Sequence, residues 1–196
     1  MENLKIYDNF LEDKVFEFLY NDMMGFRFPW HMGSVYTIKR DIPLCDDLNN
    51  LQFSNWIYRN NSEFGDEYTI IKPIINDPRL KITSLVRVKA NCTVRTEEVI
   101  EHGWHQDGYF SCNAAIFYVN SNDGYTKFKD GTKVESVANR LITFNTQDIH
   151  TGTTCTNDRV RCVINFNYYS STKEDLESLA LTNTNSNNYA NKVYGG

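Results

Sequence analysis

The segment His105-Gln106-Asp107 places two metal-ligating side chains at a spacing of two. In extended chain such residues point to the same side, so one imidazole and one carboxylate can converge on a single ion. A third donor must come from elsewhere in the chain. His150, a short turn beyond the apolar run RLITF, is the candidate. Two imidazoles and one carboxylate on one face leave coordination positions open for substrate and dioxygen, which suits a non-haem iron(II) site. The HxD pattern by itself arises readily by chance, and two polar residues in an exposed loop would look the same.

A second element is basic. Arg159 and Arg161 open the run RVRCVINFNYY, nine and eleven residues past His150. Period two puts Arg159, Arg161, Val163, Asn165 and Asn167 on one face of a strand, with Val160, Cys162, Ile164, Phe166 and Tyr168 opposite as core. A cation on the inner face of a β-core is costly unless an anion pairs with it. A dicarboxylate such as 2-oxoglutarate would supply that anion, reaching the guanidinium in a bidentate pair. The other reading is two solvent-facing arginines paired with Asp148 or Asp158.

These residues need a scaffold. Residues 10–24 carry Phe10, Leu11, Val15, Phe16, Phe18, Leu19 and Met23 at helical spacing, with Asp8 or Asn9 as N-cap and Gly25 as stop. Leu48, Leu51, Trp56 and Ile57 suggest a second helix over 46–61, and 67–77 reads as a third despite Pro73. From residue 80 the chain breaks into short β-branched and aromatic segments, near 82–90, 98–105, 112–119, 125–129, 132–138, 140–145 and 159–169, divided by turns such as SNDG and KDGT. Seven short strands at this spacing predict a β-sandwich or closed barrel, buttressed by helices from about 1–79. The expectation is a mainly β protein with α, one domain over 1–172, and an Asn-rich polar tail over 173–196.

The 196 residues are 41% hydrophobic and 14% aromatic, as in a globular chain. A net charge of −5 gives no strong nucleic-acid signal and does not suit an anionic membrane. No stretch approaches a membrane span. The N-terminus lacks the basic flank and apolar run of a signal peptide, and the five cysteines form no CxxC pair, so reduced thiols and a cytoplasmic location are expected.

The ordered set of HxD, AAIFYVN, NRLITF and HTGTTCTNDRVRCVINFNYY resembles the catalytic core of the iron(II)/2-oxoglutarate dioxygenases, over about residues 80–170. It looks most like the prolyl-hydroxylase-like branch. Through RVKAN, EHGWHQD, DGTKVESVANRL and HTGTTCT it also resembles small oxygenases of tailed phages of marine bacteria, which would put it in a host-cell cytoplasm. The resemblance implies a double-stranded β-helix (jelly-roll, cupin-like) core with N-terminal supporting helices. It implies Fe(II) on His105, Asp107 and His150. It also implies 2-oxoglutarate on Arg161, with Tyr118 and Asn165 hydrogen-bonding it, Asn91 contributing from an earlier strand, and Arg159 as the alternative clamp. Dioxygen is the further substrate, with ascorbate as an accessory reductant. The implied reaction hydroxylates an unactivated C–H bond, with succinate and CO2 as co-products. Asn167 stands where the nucleic-acid-demethylating branch has a second arginine, and the carboxylate of Asp107 argues against a halogenase.

The substrate is open to three readings: a peptidyl side chain such as proline, a free amino acid or other small molecule, or no turnover at all in a non-catalytic metal-binding β-barrel. Trp30 and His31 in the aromatic loop, and Trp104 and Tyr109 beside the ligands, are candidate substrate contacts, though each would serve equally as packing. His102 points away from His105 at period two and reads as a supporting residue.

Overall fold

A computed structural model describes residues 3–35, 51–108 and 111–171. Two antiparallel sheets and two helices are formed by the described residues. Strand β1 spans Lys5–Tyr7, helix α1 Asp13–Met23, β2 His31–Ser34, β3 Leu51–Arg59, β4 Ser62–Glu63 and helix α2 Glu67–Ile75. Then come β5 (Ile82–Val94), β6 (Asn113–Tyr118), β7 (Tyr125–Phe128), β8 (Lys133–Glu135), β9 (Arg140–Asn145), β10 (His150–Gly152) and β11 (Val160–Ser170). The large sheet runs β1-β9-β6-β11-β5-β3-β2 with β4 on β3, and the small one β10-β7-β8. The two meet through an inner cluster of Ile116, Tyr118, Phe128, Val134, Ile142, Phe144 and Val163. This is the jelly-roll arrangement.

The large sheet has a second, outer core. Phe117, Val119, Val88, Ala90, Cys162, Ile164, Phe166 and Tyr168 face Leu19 and Met23 of α1 and Ile71 and Ile74 of α2. Each central strand thus divides its residues by period two between two buried surfaces. In β11 the outer set is Cys162, Ile164, Phe166 and Tyr168, and the inner set is Arg161, Val163, Asn165 and Asn167.

Helix α1 forms where its apolar stripe lies, but its N-cap is Glu12 and no side chain caps it. Asp8 is engaged elsewhere, holding Arg140 at 2.6 Å. Past Met23, a Cβ at position 25 would come within 2.6 Å of the Asn21 carbonyl, so Gly25 permits the exit. The segment before α1 is tied down by Asn139, at a φ of 60°. Its amide accepts from Leu11 N at 2.8 Å and donates to Leu11 O at 2.9 Å.

Two expected elements also fail to form. The helix proposed over 46–61 is strand β3 across Leu51–Arg59, while 46–50 lie outside the described residues. LQFSNWIYR alternates, with Asn55 and Ile57 buried on one side and Gln52 and Trp56 on the cavity side. Pairing with β5 and β2 outweighs the helical spacing of a few apolar residues. The N-terminal stretch therefore adds strands to the large sheet as well as helices. The strand expected over 98–105 is absent, since that segment touches its neighbours through two isolated bridges, Glu101 to Thr153 and His105 to His150. The predicted helix over 67–77 forms as α2.

Cys92, Cys112, Cys155 and Cys162 are buried free thiols. No helix among the described residues is long and apolar enough to cross a membrane. Tyr109, Cys45 and the tail over 173–196 lie outside the described residues.

Candidate metal centre

The bridge between His105 and His150 builds the site. Their backbones exchange two hydrogen bonds, His105 N to His150 O at 3.0 Å and His150 N to His105 O at 2.9 Å. This pairing brings the ring centroids to 4.6 Å. Each ring is then oriented by its own turn: Nδ1 of His105 lies 3.1 Å from Gly103 O and Nδ1 of His150 lies 2.9 Å from Asp148 O. A carbonyl accepting from Nδ1–H leaves Nε2 as the lone-pair donor, the tautomer a metal needs. Phe144 and Phe128 pack against the His150 ring. Burial lowers the pKa of His150, which keeps it neutral.

Asp107 completes the group. Its backbone N–H donates to Thr146 O at 2.8 Å, and ligand atoms of His105, Asp107 and His150 lie within 4.8 Å of one another. The carboxylate is gripped from the large sheet. Arg87 Nη2 donates to Oδ1 at 2.8 Å, and Asn167 Nδ2 reaches Oδ2 at 3.4 Å. Arg87 Nε also donates to Asn167 Oδ1. Two imidazoles and one oriented carboxylate match the 2-His-1-carboxylate donor set of Fe(II).

Beside this group lies a cavity of about 610 Å³ between the sheets. Arg161 projects into it and is 5% exposed. Its Nε donates to Ser136 Oγ at 2.8 Å and its Nη2 to Thr126 Oγ1 at 3.1 Å. Tyr118 also donates to Thr126 Oγ1, at 2.8 Å, and its ring centroid lies 5.6 Å from the guanidinium. Gly124 permits this packing, because a Cβ there would come within 2.6 Å of Arg161 Cδ. Among the described residues no carboxylate pairs with Arg161. Burial lowers its pKa, yet a guanidinium stays charged, so the cation calls for an anion. Asn91 Oδ1 and Asn165 Oδ1, on the same wall, are buried with no partner among the described residues. A cation without a counter-ion and orphaned polar atoms fit an anionic, hydrogen-bonding cosubstrate such as 2-oxoglutarate.

The structure separates the two arginines. Arg159 precedes β11 in an exposed turn, with its N–H on Asp158 Oδ1 at 2.6 Å, and does not line the cavity. Trp104 and His102 line the cavity; Trp30 does not. Trp30 packs against Phe28 at 4.6 Å, donates Nε1–H to Met23 O and belongs to the outer core. His31 is exposed on β2 and lines a separate cleft of about 420 Å³. Sequence reasoning missed Arg87 as the partner of Asp107. The signal was present in ITSLVRVKANCTV, where period two sets Arg87, Lys89, Asn91 and Thr93 on one face.

No family model and no curated protein matches the chain. Solved structures do. A prolyl hydroxylase from Trichoplax adhaerens, in complex with a hypoxia inducible factor peptide fragment, is 15% identical, with 90% of this chain and 87% of that one covered at a TM-score of 0.58. A 2OG-Fe(II) oxygenase family oxidoreductase from Burkholderia pseudomallei is 10% identical, with 86% of each chain covered and a TM-score of 0.59. The fold is that of the 2OG-Fe(II) oxygenases. The epimerase SnoN, in complex with Fe3+, alpha ketoglutarate and nogalamycin RO, shares it at 9% identity, 87% and 80% coverage and a TM-score of 0.61.

Proposed function

We propose that the protein is an Fe(II)- and 2-oxoglutarate-dependent dioxygenase that hydroxylates an unactivated C–H bond. The observation that carries this reading is a triad of His105, Asp107 and His150 sharing a cavity with the buried, carboxylate-free Arg161. A structural metal site needs neither an open side nor an anion clamp, which disfavours the non-catalytic barrel. Iron(II), 2-oxoglutarate and dioxygen together supply the oxidant that turns C–H into C–OH, with succinate and CO2 as co-products.

The protein's part is positioning. His105, Asp107 and His150 would hold the metal from one side. Arg161 would take the far carboxylate of 2-oxoglutarate in a charge-assisted pair, with Tyr118, Asn165 and Asn91 as polar neighbours. Arg87 and Asn167 fix the Asp107 carboxylate and offset its charge. Ile116 and Val163 line the cavity and Phe144 packs on the His150 ring, apolar surfaces that would help to keep water from the reacting centre. A peptidyl side chain such as proline is one substrate reading, and a free amino acid or other small molecule is the other. Trp104 stands beside the ligands in position to touch either.

Incubation with Fe(II), 2-oxoglutarate and air tests the class. Succinate should form, and His150→Ala should abolish it. Absence of succinate in the wild type, under conditions where the iron is bound, refutes the proposal.

A further inference from the structure

Lys89 lies on the cavity face of β5, flanked in register by Asn165 of β11 and Trp56 of β3. Its ammonium stands 5.2 Å from the Trp56 ring centroid, and the Arg59 guanidinium stands 4.7 Å from the same ring. Among the described residues no carboxylate pairs with Lys89, whereas Arg87, two residues earlier, holds Asp107. Burial and the charges of Arg87 and Arg59 hold its pKa below the ordinary lysine value, as expected of a cation that lacks its counter-ion.

Charge balance extends the point. Arg87, Lys89 and Arg161 bring positive charge to the cavity, and Asp107 alone among its lining brings negative charge. A divalent metal ion and a 2-oxoglutarate dianion cancel each other, so the loaded cavity stays positive by two charges. Arg161 pairs with the cosubstrate and Arg87 with Asp107. The surplus rests on the metal and on Lys89, inside a chain whose net charge is −5. Low dielectric makes such a surplus costly unless the next molecule to enter is an anion.

We propose that the primary substrate is a small carboxylic acid whose carboxylate pairs with Lys89, with its carbon skeleton against Trp56 and its reacting C–H toward the metal. The inference rests on the proposed function and selects the small-molecule reading, because the interior of a peptide carries no carboxylate of its own backbone. Lys89 is half-buried and lines the cavity, so a carboxylate that meets it there has entered the cavity.

The test uses the full chain loaded with Mn(II) and 2-oxoglutarate, uptake of both being measured first by calorimetry. The probes are matched pairs of N-acetyl amino acids and their amides, which differ only in the carboxylate, read by ligand-detected NMR. The expected result is that an acid binds at least about tenfold more tightly than its amide. That preference should vanish in Lys89→Met and survive in Lys89→Arg, with Mn(II) and 2-oxoglutarate uptake unchanged in both. Lys89→Gln carries the same test if the methionine variant does not fold. Equal binding of acid and amide, no acid binding, or a preference that persists without Lys89 overturns the inference and leaves the proposed function intact. Loss of 2-oxoglutarate affinity in Lys89→Met overturns it by assigning Lys89 to the cosubstrate. Failure of the wild type to take up Mn(II) and 2-oxoglutarate overturns the proposed function, and this inference with it.

Discussion

The two faces of strand β11 share one backbone and one set of neighbours, yet they differ in kind. Outward, Cys162, Ile164, Phe166 and Tyr168 meet the helices in an apolar core. Inward, Arg161 and Asn165 line a cavity and Asn167 reaches Asp107 at its edge, with hydroxyls, amides and cations around them. The outer face is complete as folded, because burial of its carbon surface stabilises it without further groups. The inner face is incomplete, since Arg161 and Lys89 are charged and lack counter-ions among the described residues. A fold retains such a surface at a cost in stability, and ligands of the right charge offset that cost. On the proposed function, the same strand would carry stability on one side and binding on the other.

This contrast predicts that mutations on the two sides separate two measurements. Phe117 is fully buried on the outer face against Phe10 and Phe16. Phe117→Ala should destabilise the chain by about 3–5 kcal/mol in denaturant melts while leaving metal affinity per folded molecule unchanged. A metal-affinity loss as large as the stability loss would show that the faces are not independent. Asn139→Ala removes two buried hydrogen bonds to Leu11 from a left-handed position, and a loss of about 2 kcal/mol is expected in the same melts. A change below about 0.5 kcal/mol would remove Asn139 as the tether of the N-terminal segment.

On the inner side, Arg87→Ala should weaken Mn(II) binding about 10–100-fold by calorimetry, because Asp107 loses its orienting cation. Unchanged affinity would make the pair structural only. Arg159→Ala should alter neither stability beyond about 0.5 kcal/mol nor 2-oxoglutarate affinity, because the side chain is exposed and outside the cavity. If it did alter 2-oxoglutarate affinity, the boundary between binding face and surface would need redrawing.

How legible this was in the sequence depended on how many constraints acted on each segment. RVRCVINFNYY announces its two faces because both are buried and the period is therefore strict. HxD is visible because two residues apart is the repeat of extended chain. LQFSNWIYR was misleading: its few apolar positions also suit a helix, and only pairing with the distant β5 decides for a strand. The segment 98–105 has the composition of a strand, yet it is held by isolated bridges, which local composition does not encode. Arg87 lies within a legible alternation, but its partner Asp107 is twenty residues away, so the ion pair appears only in three dimensions. Trp30 shows the converse. An aromatic loop is equally able to line a mouth or to close a core, and here Met23 and Phe28 claim it.

An inner face built for a metal and a 2-oxoglutarate dianion together should bind the two in order. Calorimetric titration of 2-oxoglutarate into the Mn(II)-loaded chain, with and without Arg161, tests it most directly. One equivalent should bind only when Mn(II) is present, and Arg161→Ala should weaken that binding on the order of 100-fold with Mn(II) still held. Binding of 2-oxoglutarate that ignores the metal, or that survives Arg161→Ala at wild-type strength, would contradict the account.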